Sequence, residues 1–162
     1  MKMQTPGNEF ALLSYTEDAQ AIAQVRGNEN NPQLYGTVKF YETSYARVLV
    51  EAEFFGLPDV GKPGFSAFFG MHIHEVGDCS LPFDKTGGHY NPGNNLHPYH
   101  AGDFIPILSN HGYAWVSFFD SRFSIEKILG RSVILHQMRD DFTTQPSGDS
   151  GEKIGCGIIL RG

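Results

Sequence analysis

The chain has 162 residues and a formal net charge of −6, with 19% charged and 40% hydrophobic residues. It contains neither a run of lysine and arginine nor an apolar run long enough to span a membrane, so nucleic acids and membranes are excluded as expected partners. The length favours a single domain over residues 1–162 that can bury its own core.

Alternation of apolar and polar residues with a period of two recurs along the chain, which is typical of strands. Turn-forming residues separate the alternating segments. The predicted strands are, in chain order, Phe10–Tyr15, Gln20–Val25, Gln33–Glu42, Ala46–Phe55, Phe65–Glu75, Tyr113–Phe119, Arg131–Gln137 and Ile154–Leu160. One short helix is predicted over Ser124–Leu129, capped by Ser124 and stopped by Gly130. This pattern predicts an all-β fold, an eight-stranded antiparallel barrel or sandwich.

Two segments interrupt the strand pattern. Gly77–Leu108 is rich in Gly, Pro, Asn and His, and Met138–Lys153 is polar and small in character. Loops of this length without regular structure are usually functional or disordered. Both segments flank histidines, which favours a functional role.

Three histidines are predicted to project from the same side of two strands. Within Phe65–Glu75, alternation places His72 and His74 on the face opposite the apolar residues. His136 takes the corresponding place in Arg131–Gln137. Imidazole suits zinc, copper, iron and nickel, so the trio favours a metal site over the alternative of exposed surface histidines.

A second group of potential ligands lies in the first long loop. His89, His97, His100 and Asp103 supply three imidazoles and one carboxylate within a short stretch, and tetrahedral zinc accepts these donors. The alternative is a polar loop with incidental histidines. His111 lies in an Asn-His-Gly turn and is predicted to be a solvated turn residue.

Several motifs occur in an order that resembles the copper–zinc superoxide dismutases. They are Gly-Met-His-Ile-His-Glu at 70–75, Gly-Gly-His-Tyr-Asn-Pro at 87–92, His-Ala-Gly-Asp at 100–103, Gly-Arg-Ser-Val-Ile-Leu-His at 130–136 and Cys-Gly-Ile-Ile at 156–159. The resemblance implies a Greek-key fold and dismutation of superoxide to oxygen and hydrogen peroxide, with copper (Cu) and zinc (Zn) as cofactors. It also implies superoxide as the partner molecule and is compatible with a homodimer.

The resemblance assigns the copper side position by position. His72, His74 and His136 match the family's ligands of copper alone. His89 matches the histidine that bridges both ions, and it is expected to be catalytic because in the family this residue takes up a proton when copper is reduced.

The zinc side is assigned in the same way. His97, His100 and Asp103 match the remaining zinc ligands, although the gap between His97 and His100 is shorter than is usual in the family. Asp140 matches the carboxylate that links ligands of the two ions and thereby orients their rings.

Cys79 and Cys156 allow one disulfide. From the pattern alone, a bridge and two buried thiols are equally compatible. The chain as written shows no secretion signal, which predicts a cytoplasmic location and disfavours a stable bridge. The resemblance nevertheless implies that these cysteines form the family's intrasubunit disulfide.

The chain departs from the family at Lys153, where the family has an arginine beside copper. Lysine offers a flexible point charge in place of a planar fork of donors. Lys153 is therefore expected to be catalytic by attracting superoxide, but to dock it less well and to reduce activity. Glu152 next to it adds a negative charge, whereas Arg139 in the same loop is a cation that could compensate.

Two other functions stay open from the sequence. One is a non-enzymatic or slow copper/zinc-binding relative, such as a copper buffer or chaperone, which the lysine at position 153 favours. The other is an interaction module that zinc stabilises and that holds no copper. The three histidines specific to copper count against this second alternative.

Overall fold

The computed structural model describes residues 5–16, 18–45, 48–59, 61, 63 and 66–162. Its elements, in chain order, are α1 (Pro6–Thr16), β1 (Ala21–Gly27), β2 (Tyr35–Glu42), β3 (Val48–Phe55), β4 (Phe68–Phe69), β5 (Met71–His74), a 3₁₀ helix (Asp84–Thr86), β6 (Ile107–Leu108), β7 (Ala114–Asp120), α2 (Ile125–Ile128), β8 (Ser132–His136) and β9 (Lys153–Arg161). Residues 46, 47 and 65 of the predicted strands lie outside the described residues.

The strand predicted at Phe10–Tyr15 is wrong, because this segment lies in the helix α1. Pro6 at the first helical position suits a helix start, and Thr5 accepts the Asn8 N–H through both its carbonyl and its hydroxyl oxygen. Phe10 and Leu13, three residues apart, pack together against a small outer cluster that includes Tyr41. The apolar residues therefore follow a helical spacing that the strand prediction ignored.

The strands form an antiparallel all-β fold. Seven strands lie in the order β5–β8–β9–β1–β2–β3–β7, and β4 pairs with β6. After β3, which pairs with β7 at one end of the strand order, the chain continues to β5, which pairs with β8 at the other end. A long connection of this kind is the crossover of a Greek key. If β4 and β5 are counted as one interrupted strand, the described residues contain eight strands, and the predicted barrel or sandwich class is confirmed.

Gly70 interrupts the predicted strand Phe65–Glu75. Its N–H donates to the Met138 carbonyl at 2.7 Å, so the second long loop crosses the strand here. A Cβ at this position would lie 3.0 Å from the Ser150 hydroxyl oxygen. Strand β6 was not predicted, because two residues are too short to show alternation.

The alternation predicted around the histidines is confirmed. Met71 and Ile73 of β5, with Val133 and Leu135 of β8, are fully buried in the main core. The histidines between them face the other side of the sheet, where the two long loops cover them.

A disulfide joins the first long loop to β9. Cys79 and Cys156 are bonded, with their Cα atoms 5.6 Å apart, and they pack with Phe83 and Ile134 in a separate apolar cluster. The bridge predicted from the resemblance is therefore present.

The predicted short helix is confirmed as α2. The Ser124 carbonyl accepts the Lys127 N–H at 3.1 Å, while the Ser124 side chain makes no capping hydrogen bond. Gly130 has φ 78° and follows the helix as its stop. In the described ranges, no helix has both the length and the apolar character needed to cross a membrane.

Candidate metal centre

The sheet brings three of the predicted ligands to one place. Strands β5 and β8 are paired, with His72 opposite Ile134 and His74 opposite Ser132. A register shift follows Leu135, and the His136 N–H donates to the Gly70 carbonyl at 2.8 Å. An isolated bridge between His74 and His89 adds a fourth imidazole from the loop.

The described residues contain two groups of potential metal ligands. In each group the donor atoms lie within 4.8 Å of one another, and all the residues are buried. The copper-side group comprises His72, His74, His89 and His136. The zinc-side group comprises His89, His97, His100 and Asp103. His89 belongs to both, so the two groups adjoin through one imidazole. His111 is exposed and belongs to neither group.

Backbone carbonyls determine which nitrogen atoms the copper-side rings offer. His74 Nδ1 lies 2.9 Å from the Gly87 oxygen, and His136 Nδ1 lies 3.2 Å from the Gly151 oxygen. A carbonyl only accepts, so Nδ1 carries the proton in both rings and a neutral ring leaves Nε2 as a bare lone pair. The two Nε2 atoms are 3.2 Å apart. Two lone pairs at this distance repel each other unless a cation lies beside them.

The zinc-side nitrogens converge on the Asp103 carboxylate. Nδ1 of His89 lies 2.6 Å from Oδ1, Nδ1 of His100 lies 3.3 Å from Oδ1, and Nδ1 of His97 lies 3.1 Å from Oδ2. The rings of His97 and His100 are 5.5 Å apart, so their short spacing in the sequence still lets both face this carboxylate. Three nitrogens and one carboxylate form the donor set of a closed zinc site.

Asp140 links the two groups. Its Oδ2 accepts from His72 Nε2 at 2.7 Å, and its Oδ1 accepts from His97 Nε2 at 2.8 Å. These bonds place the proton of each ring on Nε2 and leave Nδ1 free to coordinate. The resemblance predicted a carboxylate in this position, and the structure places Asp140 between one ring of each group.

The hydrogen bonding of the buried nitrogen atoms shows whether the two groups suit metal ions. Among the described residues, the buried side-chain atoms without a hydrogen-bond partner are His72 Nδ1, His89 Nε2, His97 Nδ1 and His100 Nδ1. Leaving buried polar atoms unpaired is costly. All four atoms belong to the two groups, so the residues fit two cations that would satisfy them.

Burial also keeps the rings of His72, His74 and His136 neutral, as coordination requires. It lowers the pKa of His72 and His74 well below the ordinary value of 6.5, and neighbouring imidazoles lower it further. Burial likewise lowers the pKa of His136 to about 3, although the hydrogen bond to Gly151 acts against this shift. At neutral pH these three imidazoles are therefore neutral, and each keeps one bare nitrogen that can coordinate a cation.

On the zinc side, the surroundings of Asp103 lower the pKa of its carboxyl group. Burial alone would raise the pKa of Asp103, but hydrogen bonds from His89 and His100 and the nearby imidazoles hold it below its usual value. The carboxylate is therefore ionised and available to a cation.

Lys153 is half-buried at the start of β9, and its ammonium group is engaged by the first long loop. Nζ donates to Thr86 Oγ1 at 2.9 Å, to the Gly87 carbonyl at 3.2 Å and to the Phe83 carbonyl at 3.4 Å. An ammonium has three donors, so all of them are used. The Gly87 carbonyl also accepts from His74, which connects Lys153 to the copper-side group.

Sequence reasoning missed Gly148, which packs against the link between the groups. Gly148 has φ 72°, a left-handed backbone conformation that favours glycine. A Cβ there would lie 2.0 Å from Asp140 Oδ1 and 2.7 Å from His97 Nε2. A glycine in a polar loop gave no signal of this role, because the requirement comes from a contact far along the chain.

Comparisons with known proteins agree with this geometry. Residues 34–159 match the family model described as "Copper/zinc superoxide dismutase (SODC)". This match covers most of the chain and includes every residue of both groups. The chain belongs to the copper/zinc superoxide dismutase family.

Similar proteins are named either as copper–zinc superoxide dismutases or as copper chaperones for superoxide dismutase. The chain is 32% identical to the mouse extracellular copper–zinc superoxide dismutase over 80% of its length and 55% of the relative, so it spans about half of that protein. It is 31% identical to the copper–zinc superoxide dismutase of Paramecium bursaria Chlorella virus 1, over 91% of this chain and 81% of the viral protein. It is also 30% identical to the human copper chaperone for superoxide dismutase, over 78% of this chain and 48% of the chaperone.

A solved structure supports the fold. The crystal structure of the clock protein EA4 superposes with a TM-score of 0.73 at 27% sequence identity, and the match covers 88% of this chain and 95% of the other.

Proposed function

We propose that this chain is a superoxide dismutase that binds copper and zinc in the two adjoining groups. One observation carries the proposal: both groups contain buried imidazole nitrogens without a hydrogen-bond partner, the donor atoms of each group lie within 4.8 Å of one another, and His89 is common to both groups. A zinc module without copper would not need the complete copper-side group.

Copper would be held by four imidazole nitrogens. Three come from the paired strands, namely Nδ1 of His72 and Nε2 of His74 and His136, and the fourth is Nε2 of His89. Bound copper would supply one-electron redox chemistry, by which two superoxide ions and two protons give dioxygen and hydrogen peroxide. The protein contributes rings that the Gly87 and Gly151 carbonyls and Asp140 hold in one orientation.

Zinc would be held by Asp103 and by Nδ1 of His89, His97 and His100. Zinc has no redox chemistry, so this side would fix the loop and the bridging ring. His89 offers Nε2 to the copper side, and this nitrogen would hold or release a proton there. Its other nitrogen is already directed at Asp103.

Superoxide is an anion, and the chain carries a net charge of −6. A local cation must therefore attract it, and Lys153 donates to the Gly87 carbonyl, which also accepts from His74 of the copper-side group. Its three donors are engaged by the loop, and the carboxyl-bearing residues Asp84 and Glu152 line the same surface depression. Lys153 would thus contribute charge without docking the anion through a free N–H, which lowers the expected rate.

The test is a superoxide decay assay on metal-reconstituted protein, with metal content measured on the same sample. We expect about one copper and one zinc per chain, and decay that requires copper. The matched control is His136→Gln, which removes one copper-side nitrogen and leaves the zinc-side group complete. Protein that holds zinc but rejects ample copper would overturn the enzyme assignment.

A slow or non-enzymatic copper protein is the second candidate. The engaged ammonium of Lys153 favours it, and a relative named as a copper chaperone aligns with most of the chain. Protein that binds both ions and yet accelerates superoxide decay no more than free copper would establish this candidate in place of the first.

A further inference from the structure

Arg122 connects the end of β7 to the loop that carries the zinc-side group. Its Nη1 donates to the His100 carbonyl at 3.0 Å, and its Nη2 donates to the Asp103 carbonyl at 2.5 Å. Both acceptors belong to residues of the zinc-side group. One guanidinium therefore contacts the two ends of the turn that presents an imidazole and the carboxylate.

The guanidinium is itself held by Asp120, the last residue of β7. Arg122 Nε lies 3.0 and 3.2 Å from the two Asp120 oxygens, and Nη2 lies 2.6 Å from Oδ2. The Arg122 backbone N–H also donates to Asp120 Oδ1 at 2.8 Å. Asp120 is 5% exposed, whereas the Arg122 side chain is 41% exposed. The buried carboxylate therefore anchors a guanidinium at the surface, and the multidentate contacts fix its plane.

The same turn is also bonded to β5 and to the preceding loop segment. Gly102, between His100 and Asp103, accepts from the Ile73 N–H and donates to the Tyr90 carbonyl, each at 2.9 Å. A Cβ at Gly102 would lie 2.3 Å from the Ile73 carbonyl oxygen, which shows how closely the turn approaches β5. The turn is therefore held both by β5 and by Arg122.

The Asp103 carboxylate couples the turn backbone to the bridging ring. Asp103 Oδ2 accepts the His100 N–H at 2.9 Å while Oδ1 faces His89 Nδ1 at 2.6 Å. A shift of the turn backbone would therefore move His100 and the carboxylate together, relative to the bridging ring. Metal-ligand geometry tolerates such displacements poorly, and partners outside the ligand set strongly affect affinity.

We propose that Arg122 is a positioning residue for the zinc-side group, through the carbonyls of His100 and Asp103. The inference rests on the proposed zinc site but not on dismutase activity. Lysine cannot replace it fully, because one ammonium lacks the planar fork that meets Asp120 and two carbonyls at once.

The experiment measures zinc affinity and the thermal midpoint of the metal-free protein for Arg122→Lys. Zinc affinity is measured by competition with a chromophoric chelator. We expect zinc affinity to fall by roughly 10-fold to 100-fold, while the midpoint of the metal-free protein changes little. Cobalt placed in the zinc site should show an altered visible spectrum, which reports ligand geometry independently of activity.

Two further variants keep the test decisive. Arg161→Lys changes an exposed arginine paired with Glu126 at 3.5 Å and should leave zinc affinity unchanged. Asp120→Asn frees the guanidinium from its ion pair and should lower zinc affinity less than Arg122→Lys does, because the two carbonyls remain within reach.

The outcomes separate this inference from the proposed function. Unchanged zinc affinity and cobalt spectrum in Arg122→Lys would overturn the positioning role, as would an equal loss of stability with and without zinc. Failure of the unaltered protein to bind zinc at all would instead overturn the zinc assignment, and the positioning role with it.

Discussion

The copper-side and zinc-side groups hold their ligands by different means. On the copper side, His72, His74 and His136 lie on paired strands, so the sheet register sets their positions. On the zinc side, every ligand belongs to one loop, which Arg122, β5 and Asp140 hold from outside. For ligands on a sheet the strand pairing sets the backbone and outside partners only orient the rings, whereas ligands on a loop also need remote side chains to position their backbone.

The largest effect is expected from Asp140→Asn, which tests whether the two sides are joined. The two Asp140 oxygens each accept from one ring, but asparagine replaces one of these oxygens with an NH2 donor. His72 or His97 therefore loses its acceptor. We expect the affinity for at least one ion to fall by roughly 10-fold to 100-fold. Competition with chelators for copper and zinc measures this.

Asp149→Asn is the matched control, since Asp149 is an exposed residue of the same loop. Its φ of 51° is one that asparagine tolerates. Unchanged affinity for both ions in Asp140→Asn would show that the carboxylate does not couple the two sides.

Acid should destabilise the metal-free protein through His72, His74 and His136. The pKa of His136 is about 3 in the folded chain against 6.5 for an ordinary histidine, so the unfolded state binds more protons between these values. The free energy of unfolding of the metal-free protein therefore falls as pH drops below about 6.5, by about 1.4 kcal/mol per pH unit for this ring. The lowered pKa values of His72 and His74 act in the same direction.

Asp103 contributes in a lower range, because its pKa starts from 3.8 and is held below that value. Denaturant unfolding of the metal-free protein at pH 7, 6, 5 and 4 measures the contribution of the histidine rings, since Asp103 acts below this range. His136→Gln should flatten the dependence, whereas exchange of the exposed His111 for Gln should not. A stability that stays constant from pH 7 to pH 4 would contradict the account of neutral buried rings.

The smallest effect is expected from Lys153→Arg. Arginine can keep contacts to the loop carbonyls and still present a free N–H, so superoxide should be consumed faster by about two- to fivefold, the range of a partly exposed ionic contact. Measurements of kcat/KM at several salt concentrations check this, with Lys85→Arg, exposed in the same loop, as the control. A large loss of rate would show that the site is built around lysine.

The positions of the strand-borne ligands could be predicted from the sequence, but the residues that hold the ligand rings in place could not. Alternation around His72 and His74 was enough to place both rings on one face, and the burial of Met71 and Ile73 confirms it. The same reasoning failed at Phe10–Tyr15, because a short apolar segment fits either period when its neighbours are unknown.

The loop-borne ligands were recognised by residue type and by resemblance. The contacts that hold them were not, since Arg122 and Gly148 act through backbone and side-chain atoms far along the chain. Spacing in a sequence reports periodic elements, while such contacts exist only once the loops are folded against the sheet.

The central claim is that His89 lies between two different ions. The most direct measurement is a crystal structure of the reconstituted protein with anomalous diffraction at the copper and zinc absorption edges. We expect one copper and one zinc, with a different nitrogen of His89 bound to each ion in the oxidised protein and a zinc–nitrogen distance of about 2.0–2.1 Å. Both ions on one side of His89, or a single ion that displaces the other, would contradict it.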